Sequence, residues 1–314
     1  MLCSEDAWLK TSKDVSSNGR RGVPEIIHEV RAKTLLQTHR GQGWFGADYN
    51  MNIYRGCQHR CIYCDSRSEC YQIENFDDIL VKANAVELLE SEISRKRSRG
   101  VVGTGSMSDP YTPVEADYNL TRRALEVIAN HGFSVHMVTK SDMVTRDIDI
   151  LKRMDWRRPS VAFTLTTVDD ELARILEPGA PSPSRRLAAM AELAAAGVCV
   201  GVTLMPVLPF IEDTDEGILG IVEAAVNHGG EFIYPAFGVT LRDRQRGYYF
   251  RKLDESFPGL SVKYRETYGD AYQCMVPGHR HLLSLLQKRC AELRLAFEMD
   301  EIVNLMPFRH ATLF

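Results

Sequence analysis

Apolar, β-branched runs alternate with amphipathic stretches along most of the chain. The runs predict buried strands at residues 51–54, 101–103, 134–139, 161–165, 198–205 and 232–236. Between them, apolar residues at helical spacing predict helices at residues 85–97, 121–130, 146–154, 184–196 and 215–227. Several of these helices are followed by a glycine, which is common at helix C-termini. The pattern thus predicts six consecutive β-α units.

Repeated β-α units are typical of a parallel sheet with right-handed crossovers and with function at the C-terminal ends of the strands. We therefore predict an α/β fold, a curved and incomplete (β/α)6 TIM-type barrel over residues 46–236. Residues 1–45, with the flexible-looking stretch 11–22, are expected to form an N-terminal extension. Residues 237–314 are expected to form a C-terminal cap packed on the barrel, with a helix at 279–293.

Composition and charge further indicate the class of protein. The chain has 314 residues, of which 44% are hydrophobic, and it contains no apolar run of about 18 residues that would span a bilayer. Its start, with Cys3, Glu5 and Asp6, lacks the basic and apolar segments of a secretory signal, so we expect a cytoplasmic protein without membrane contact. The net charge of −4 gives no overall attraction to nucleic acid.

A cysteine triplet follows the first predicted strand. Cys57, Cys61 and Cys64 stand in C-x3-C-x2-C spacing. A tetrahedral structural zinc site needs four protein ligands, whereas three thiolates can hold a [4Fe-4S] cluster and leave one iron open. The triplet therefore favours an iron-sulfur cluster. A zinc knuckle that takes His59 or Cys70 as its fourth ligand is the alternative.

Further motifs accompany the later strands. They are GTGSMSDPY at 103–111, VTKS at 138–141, AFTLT at 162–166, LEPGAP at 176–181 and LMPV at 204–207. Together with the cysteine triplet, and in this order, they resemble the radical S-adenosylmethionine (SAM) superfamily, in the branch typified by spore photoproduct lyase. The Ser-Asp pair after the second strand and the Glu-Pro-Gly segment point to this branch. The resemblance implies the incomplete barrel of the radical SAM kind.

The resemblance also implies two cofactors, a [4Fe-4S] cluster on the three cysteines and SAM, whose methionine part chelates the open iron. The implied SAM-binding residues are Tyr63, Ser106, Ser108, Asp109, Lys140, Thr164 and Met205.

Six of these residues have an expected contact. The oxygen atoms of Ser106, Ser108 and Asp109 suit the methionine ammonium, and Lys140 suits the carboxylate as a point charge. Thr164 is expected to bind the ribose or the carboxylate, and Met205 to present backbone groups to adenine.

The resemblance implies that a reduced cluster cleaves SAM to a 5′-deoxyadenosyl radical, which takes a hydrogen atom from the substrate. A damaged or modified nucleotide in DNA or RNA is the expected substrate, as in DNA repair, with a peptide or small metabolite as the alternative. A reductant such as flavodoxin or ferredoxin is the expected partner, and the expected state is a monomer or weak dimer. A non-catalytic iron-sulfur redox sensor is the alternative outside enzyme chemistry.

One position departs from the lyase. The lyase has a cysteine as hydrogen donor where this chain has Ser106, and a serine O–H bond is too strong for that role. The chain is therefore assigned to the wider lyase-like group. Cys274, in a loop-like stretch beside tyrosines, is the candidate catalytic thiol, whereas Cys199 and Cys290 are expected to be buried core residues.

A basic and aromatic segment follows the last predicted strand. It contains Arg242, Arg244 and Arg246 together with tyrosines at 248 and 249. This composition suits phosphates and stacked bases, or else a capping helix whose arginines pair with nearby carboxylates. Both interpretations stay open at the level of sequence.

Overall fold

The computed structural model describes residues 14–17, 25–39, 44–71, 73 and 75–307. Cys3 and most of the stretch 11–22 therefore lie outside the described residues. The strands are β1 (Asp14–Ser17), β2 (Glu25–Val30), β3 (Leu36–Thr38), β4 (Tyr49–Met51), β5 (Tyr54–Arg55), β6 (Ile79–Lys82), β7 (Val101–Thr104), β8 (Ser134–Thr139), β9 (Ser160–Thr164), β10 (Cys199–Leu204), β11 (Phe232–Pro235), β12 (Gly238–Thr240) and β13 (Gln273–Met275).

The helices alternate with the strands through most of the chain. They are α1 (Ala85–Ile93), α2 (Glu115–Tyr118), α3 (Leu120–Asn130), α4 (Ile148–Leu151), α5 (Asp170–Leu176), α6 (Pro183–Ala195), α7 (Asp215–Asn227), α8 (Asp243–Ser256), α9 (Leu260–Tyr268), α10 (His279–Leu293) and α11 (Met299–Asn304). Short 3-10 helices occupy Trp44–Gly46, Asp65–Arg67, Glu69–Tyr71 and Asp142–Asp147.

The main sheet has seven strands in the order β11-β10-β9-β8-β7-β4-β3. The six strands from β11 to β4 run parallel, and β3 joins the edge antiparallel to β4. The predicted α/β fold with six parallel strands is therefore confirmed. Two helices, α7 and α10, begin and end at the predicted residues 215–227 and 279–293.

Two predicted elements are divided or replaced in the structure, and the helix predicted at 85–97 ends at Ile93. The strand predicted at 51–54 is divided, because the backbone changes its hydrogen-bonding partner from β7 to β6 after β4. The helix predicted at 146–154 is replaced by a 3-10 helix and the short α4. Ser141 starts the 3-10 helix, since its side chain accepts a hydrogen bond from the amide of Met143.

A second sheet, in the order β1-β2-β6-β5, lies beside the main one. Strand β2 is parallel to β6, and β5 is antiparallel to β6 and leads directly into the cysteine loop. Residues before position 46 thus contribute two strands, β1 and β2, to the sheet that contains β5. The division of the chain at residues 45 and 236 stays a prediction.

The inner face of the main sheet is closed at the N-terminal ends of its strands. There the Phe45 ring stacks on His136, with 4.2 Å between ring centroids, and contacts Phe232 at 5.8 Å. Two strands separate β8 from β11, so the sheet curves around this ring. Ile302 of α11 and Met306 complete the buried cluster. We call these five residues the floor of the barrel.

The C-terminal end of the same face is polar. Alternate residues of a strand face the same side, so Asn50 of β4, Thr164 of β9 and Thr203 of β10 all face inwards, as does Lys140 just after β8. On the outer face, residues such as Met137 of β8 join the largest apolar core under the helices. Polar side chains therefore collect at the end where parallel α/β folds place function.

The C-terminal residues pack on the cysteine loop. Tyr249 and Leu253 of α8, Tyr264 of α9 and Cys274 of β13 share one buried cluster with Cys61. No helix in the described part of the chain is long and apolar enough to cross a membrane.

Candidate active site

The cysteine loop, residues 57–64, begins at a turn that only glycine can make. Gly56 has φ of +77°, and a Cβ atom there would lie 2.4 Å from the carbonyl oxygen of Asp78. Cys61 is buried, whereas Cys57 and Cys64 are half-buried. The loop is held by three other segments of the chain.

The first of these segments follows β7. The hydroxyl of Ser108 donates to the carbonyl of Gly56 at 2.6 Å. The amide of Gln58 donates to Thr112 Oγ1 at 3.0 Å, and the amide of Val114 donates to the side chain of Gln58 at 2.7 Å. Side-chain and backbone bonds thus fix the first half of the loop to the C-terminal end of β7.

The second segment is the Glu-Pro-Gly motif after α5. The amide of Ile62 donates to Leu176 at 2.9 Å, and the amide of Gly179 donates to His59 at 3.0 Å. A Cβ atom at Gly179 would lie 2.0 Å from the carbonyl oxygen of Gln58. This close backbone contact explains why the motif contains glycine.

The third segment is the start of α8. Gln245 is fully buried, and its side-chain amide donates to the carbonyl of Tyr63 at 3.2 Å. The same amide donates to the carbonyl of Thr240 at 3.1 Å. The C-terminal residues therefore hold the second half of the loop.

Asp109 and His59, a residue of the loop, form a buried pair 3.3 Å apart. Burial opposes ionisation of Asp109, but His59 and the hydrogen bonds from Thr139 and the Lys140 amide lower its pKa to about 2. Burial alone would lower the pKa of His59, yet Cys57 and Asp109 raise it to about 10. Despite its burial, the thiol of Cys57 has a lowered pKa because His59 stands beside it. This thiol is thereby prepared to act as a thiolate ligand.

The carboxylate of Asp109 is fully engaged inside the protein. Oδ1 accepts from the Tyr111 amide at 2.9 Å and from Thr139 Oγ1 at 2.7 Å. Oδ2 accepts from the Lys140 amide at 2.7 Å and faces His59. A carboxylate offers about four acceptor sites. The expected direct contact of Asp109 with the SAM ammonium is therefore not supported, and the geometry favours a supporting role.

The other predicted acceptors differ in access. The Ser108 hydroxyl donates to the loop and is buried, whereas Ser106 is exposed and donates to Asn50 Oδ1 at 3.3 Å. Ser106 is thus the accessible hydroxyl of this motif. Thr164 is buried, with its hydroxyl 3.0 Å from that of Thr203. Met205 is half-buried at the end of β10, and the peptide bond that follows it is cis.

Lys140 lies over the loop from the β8 side. Its ammonium is 3.8 Å from Glu177 and 5.6 Å from the centre of the Tyr63 ring. Burial alone would lower the pKa of Lys140, but Cys61 and Glu177 raise it. Burial raises the pKa of Cys61, and Lys140 partly offsets this effect. Lys140 therefore supplies positive charge where a thiolate is needed.

Two half-buried or buried oxygens near this end lack a hydrogen-bond partner, Asn52 Oδ1 and Glu212 Oε1. Glu212 follows β10, and burial raises its pKa well above the usual value. Unpaired buried polar atoms are uncommon in folded proteins. Together with exposed Ser106, they place polar atoms at this end of the barrel.

The donor set also suits an iron-sulfur cluster. Three thiols share one loop, one of them with a lowered pKa and one beside a lysine. Among the described residues, no three His, Cys, Asp or Glu side chains converge on one point as the ligands of a single ion do. The thiolates of a [4Fe-4S] cluster bind different irons and need not converge in this way.

The candidate thiol Cys274 is not where the sequence suggested. It lies in strand β13, paired with β12, and not in a loop. Its side chain is 1% exposed and belongs to the apolar cluster that includes Tyr249 and Tyr264. Burial also raises its pKa. A hydrogen donor needs access to the substrate, so the prediction of Cys274 as a catalytic thiol is corrected to a core residue.

The arginines after the last strand belong to a capping helix. Arg242 pairs with Asp65 at 2.8 Å, and Arg244 donates to the carbonyl of Arg67 at 2.8 Å. Arg246 donates to several backbone carbonyls, including that of Ala271 at 2.8 Å. Of the two interpretations left open, the structure favours the structural one.

Residues that the sequence did not assign also meet at the loop. Arg186 of α6 is 1% exposed and hydrogen-bonds to Glu177. Glu177 lies within the Glu-Pro-Gly motif, and Gln245 lies in none of the motifs. Only the Glu-Pro-Gly motif gave a signal, because the contacts of Arg186 and Gln245 join distant parts of the chain.

Comparison with known proteins agrees with this site. The family model of the radical SAM superfamily matches residues 51–223. The chain belongs to the radical SAM superfamily. A protein of Mycobacterium tuberculosis is 32% identical over 268 residues, which is 82% of this chain and 77% of that protein.

Two further comparisons concern the branch. The solved structure of spore photoproduct lyase complexed with dinucleoside spore photoproduct has a TM-score of 0.65 and 16% identity, and the match covers 87% of this chain and 82% of that one. This likeness shows a shared fold. A radical SAM Nalpha-GlyT isomerase of Pseudomonas phage M6 is 26% identical over 160 residues, 51% of this chain and 33% of the isomerase.

Proposed function

We propose that this chain is a radical SAM enzyme that binds a [4Fe-4S] cluster through Cys57, Cys61 and Cys64 and acts on a nucleotide substrate. The observation that carries the proposal is the loop itself, which three segments fix at the polar end of the sheet. The cluster and SAM, when bound, supply a 5′-deoxyadenosyl radical that takes hydrogen from the substrate.

The chain's own residues orient the cofactors and exclude water. Lys140 offers its ammonium to the SAM carboxylate, and exposed Ser106 offers an acceptor to the SAM ammonium. Asp109 holds His59 and the backbone of Lys140, so that both stay in place. Thr164 lines the inner face for the ribose, and Met205 presents backbone groups to adenine.

The nucleotide part of the proposal is supported by similarity. The lyase whose fold this chain shares was solved with a dinucleoside photoproduct, whereas SuiB of Streptococcus suis, another solved structure of related fold, was solved with a precursor peptide. Ser106 stands where the lyase has its cysteine, and Cys274 is buried. The proposal therefore includes no thiol hydrogen donor, and a damaged or modified base is the proposed substrate class. The proposed electron source is a reductant of the flavodoxin or ferredoxin type.

The test is release of 5′-deoxyadenosine from SAM by anaerobically reconstituted, dithionite-reduced protein, with and without UV-irradiated DNA. We expect release that Cys61→Ala abolishes and that Cys290→Ala, at a buried cysteine of α10, leaves unchanged. Stimulation by irradiated DNA supports the nucleotide substrate, and release without stimulation contradicts that part. No release from protein with a full cluster contradicts the enzyme and favours a redox sensor.

A further inference from the structure

Glu177 is a buried acid that contacts the cysteine loop and two cations beside it. Its side chain is 1% exposed. It accepts a hydrogen bond from the Tyr63 hydroxyl and another from Arg186, and the ammonium of Lys140 is 3.8 Å away. One carboxylate therefore touches a loop tyrosine and two cations from different elements.

The backbone around Glu177 fixes its position relative to the cysteines. Leu176 accepts from the Ile62 amide, and the Gly179 amide donates to His59. Arg186 is held independently, since it donates to the carbonyls of Pro181 at 2.8 Å and Thr164 at 2.9 Å. The carboxylate thus cannot move away from the loop without breaking several bonds.

The charges beside the cysteine loop are of both signs. Lys140 and Arg186 place positive charge there, and the Glu177 carboxylate, which contacts Tyr63 of the loop, places negative charge there. Lys140, Arg186 and Glu177 together carry one excess positive charge. Charges interact strongly when water is excluded, and the net charge around an iron-sulfur cluster helps to set its reduction potential. An added electron is stabilised by positive charge and destabilised by negative charge.

We propose that Glu177 is a positioning residue that sets the reduction potential of the cluster, by holding Lys140 and Arg186 beside Cys61 while offsetting part of their charge. This inference rests on the proposed function, because it requires the cluster. It predicts that loss of the Glu177 charge makes the cluster easier to reduce and that loss of the Lys140 charge makes it harder to reduce.

The test is a redox titration of reconstituted protein without SAM, followed by absorbance and electron paramagnetic resonance. For Glu177→Gln, which keeps the size and the acceptor for Tyr63, we expect at least a tenfold shift towards the reduced cluster, or about 59 mV for one electron. For Lys140→Met we expect a shift of opposite sign. Glu171→Gln is the matched control. Glu171 is 77% exposed, and its carboxylate forms an ion pair with Arg174 on α5 at 2.7 Å.

A double variant separates charge from damage to the fold. Glu177→Gln alone leaves Arg186 buried without its carboxylate, whereas Glu177→Gln with Arg186→Gln restores the original net charge. We expect the double variant to return close to the wild-type potential. If the reduction potential shifts in the same direction in Glu177→Gln and Lys140→Met, or does not shift, the inference is overturned and the proposed function stands. Wild-type protein without a four-iron spectrum overturns both.

Discussion

The two ends of the inner face of the barrel differ in the charge state of their titratable side chains. His136 lies within β8 at the floor, and Lys140 lies four positions later on the same face, just after the end of β8. Burial lowers the pKa of His136 to about 3, so the ring is neutral where it stacks on Phe45. Burial also opposes the charge of Lys140, but Cys61 and Glu177 raise its pKa.

The difference in charge distinguishes the functional end of the barrel from the floor. His136 is buried and the Lys140 side chain is only 15% exposed, so burial alone does not decide their charge. At the floor, the described residues place no charged group against His136, whose Nδ1 lies 2.6 Å from the Ser160 hydroxyl and whose ring stacks on Phe45. At the loop end, opposite charges keep Lys140, His59 and Asp109 ionised in the same fold. Buried charges that persist need such partners.

The largest expected effect contrasts one cysteine from each end. Cys61→Ala should abolish binding of a four-iron cluster, because two thiolates remain in the loop. Cys199→Ala, at a fully buried cysteine beside the floor, should bind iron like the wild type. Iron and sulfide analysis after anaerobic reconstitution measures both. Equal loss in the two variants would erase the proposed difference between the ends.

The floor should matter for stability instead. Phe45 is fully buried, and Phe45→Ala should lower the free energy of unfolding by about 3–5 kcal/mol because it leaves a cavity. Iron content per folded protein should stay unchanged. Urea denaturation and iron analysis at low temperature check the two parts. A stable variant that loses its iron would show that the floor shapes the cluster site.

A backbone contact gives the next effect at the loop end. Gly179→Ala places a methyl group 2.0 Å from the carbonyl oxygen of Gln58, so the loop must shift. We expect the free energy of unfolding to fall by about 1–3 kcal/mol and the iron content to be reduced. Gly220→Ala in α7 is the control, since its added methyl meets only Val168 at 3.6 Å. Similar iron content in both variants would mean that the Glu-Pro-Gly motif does not hold the loop.

The Asp109 carboxylate should stabilise the apo-protein in a pH-dependent way. Its pKa falls from 3.8 to about 2 on folding, so its contribution is present above about pH 4 and is lost as the pH falls towards 2. The advantage of wild type over Asp109→Asn, about 2 kcal/mol at neutral pH, should shrink over this range. Urea denaturation from pH 6 downwards, in steps of about one pH unit, measures it. If the difference in the free energy of unfolding between the wild type and Asp109→Asn stays constant with pH, the Asp109 carboxylate is not ionised in the folded protein.

The smallest effect is expected at Cys274. Cys274→Ala removes one buried sulfur from an apolar cluster and should cost about 1 kcal/mol. SAM cleavage should be unchanged, because the thiol is buried. Loss of cleavage by a stable, cluster-loaded variant would return Cys274 to the active site.

Local patterns predicted most of the fold, and they predicted only part of the site. Six parallel strands and helix α7 follow from apolar periodicity, which is a local property. The position of Cys274 does not follow from the sequence, because the short strand β13 and the tyrosines before it have a composition that is also typical of loops. The motif placed Asp109 near the loop, but its four donors come from residues 59, 111, 139 and 140 and are visible only in three dimensions.

The central claim is that the loop end carries a three-cysteine cluster whose open iron binds SAM. Electron paramagnetic resonance of the dithionite-reduced protein, recorded before and after addition of SAM, tests it most directly. We predict a signal that SAM alters in the wild type and that is missing from Cys61→Ala. A cluster signal that SAM leaves unchanged would contradict the account.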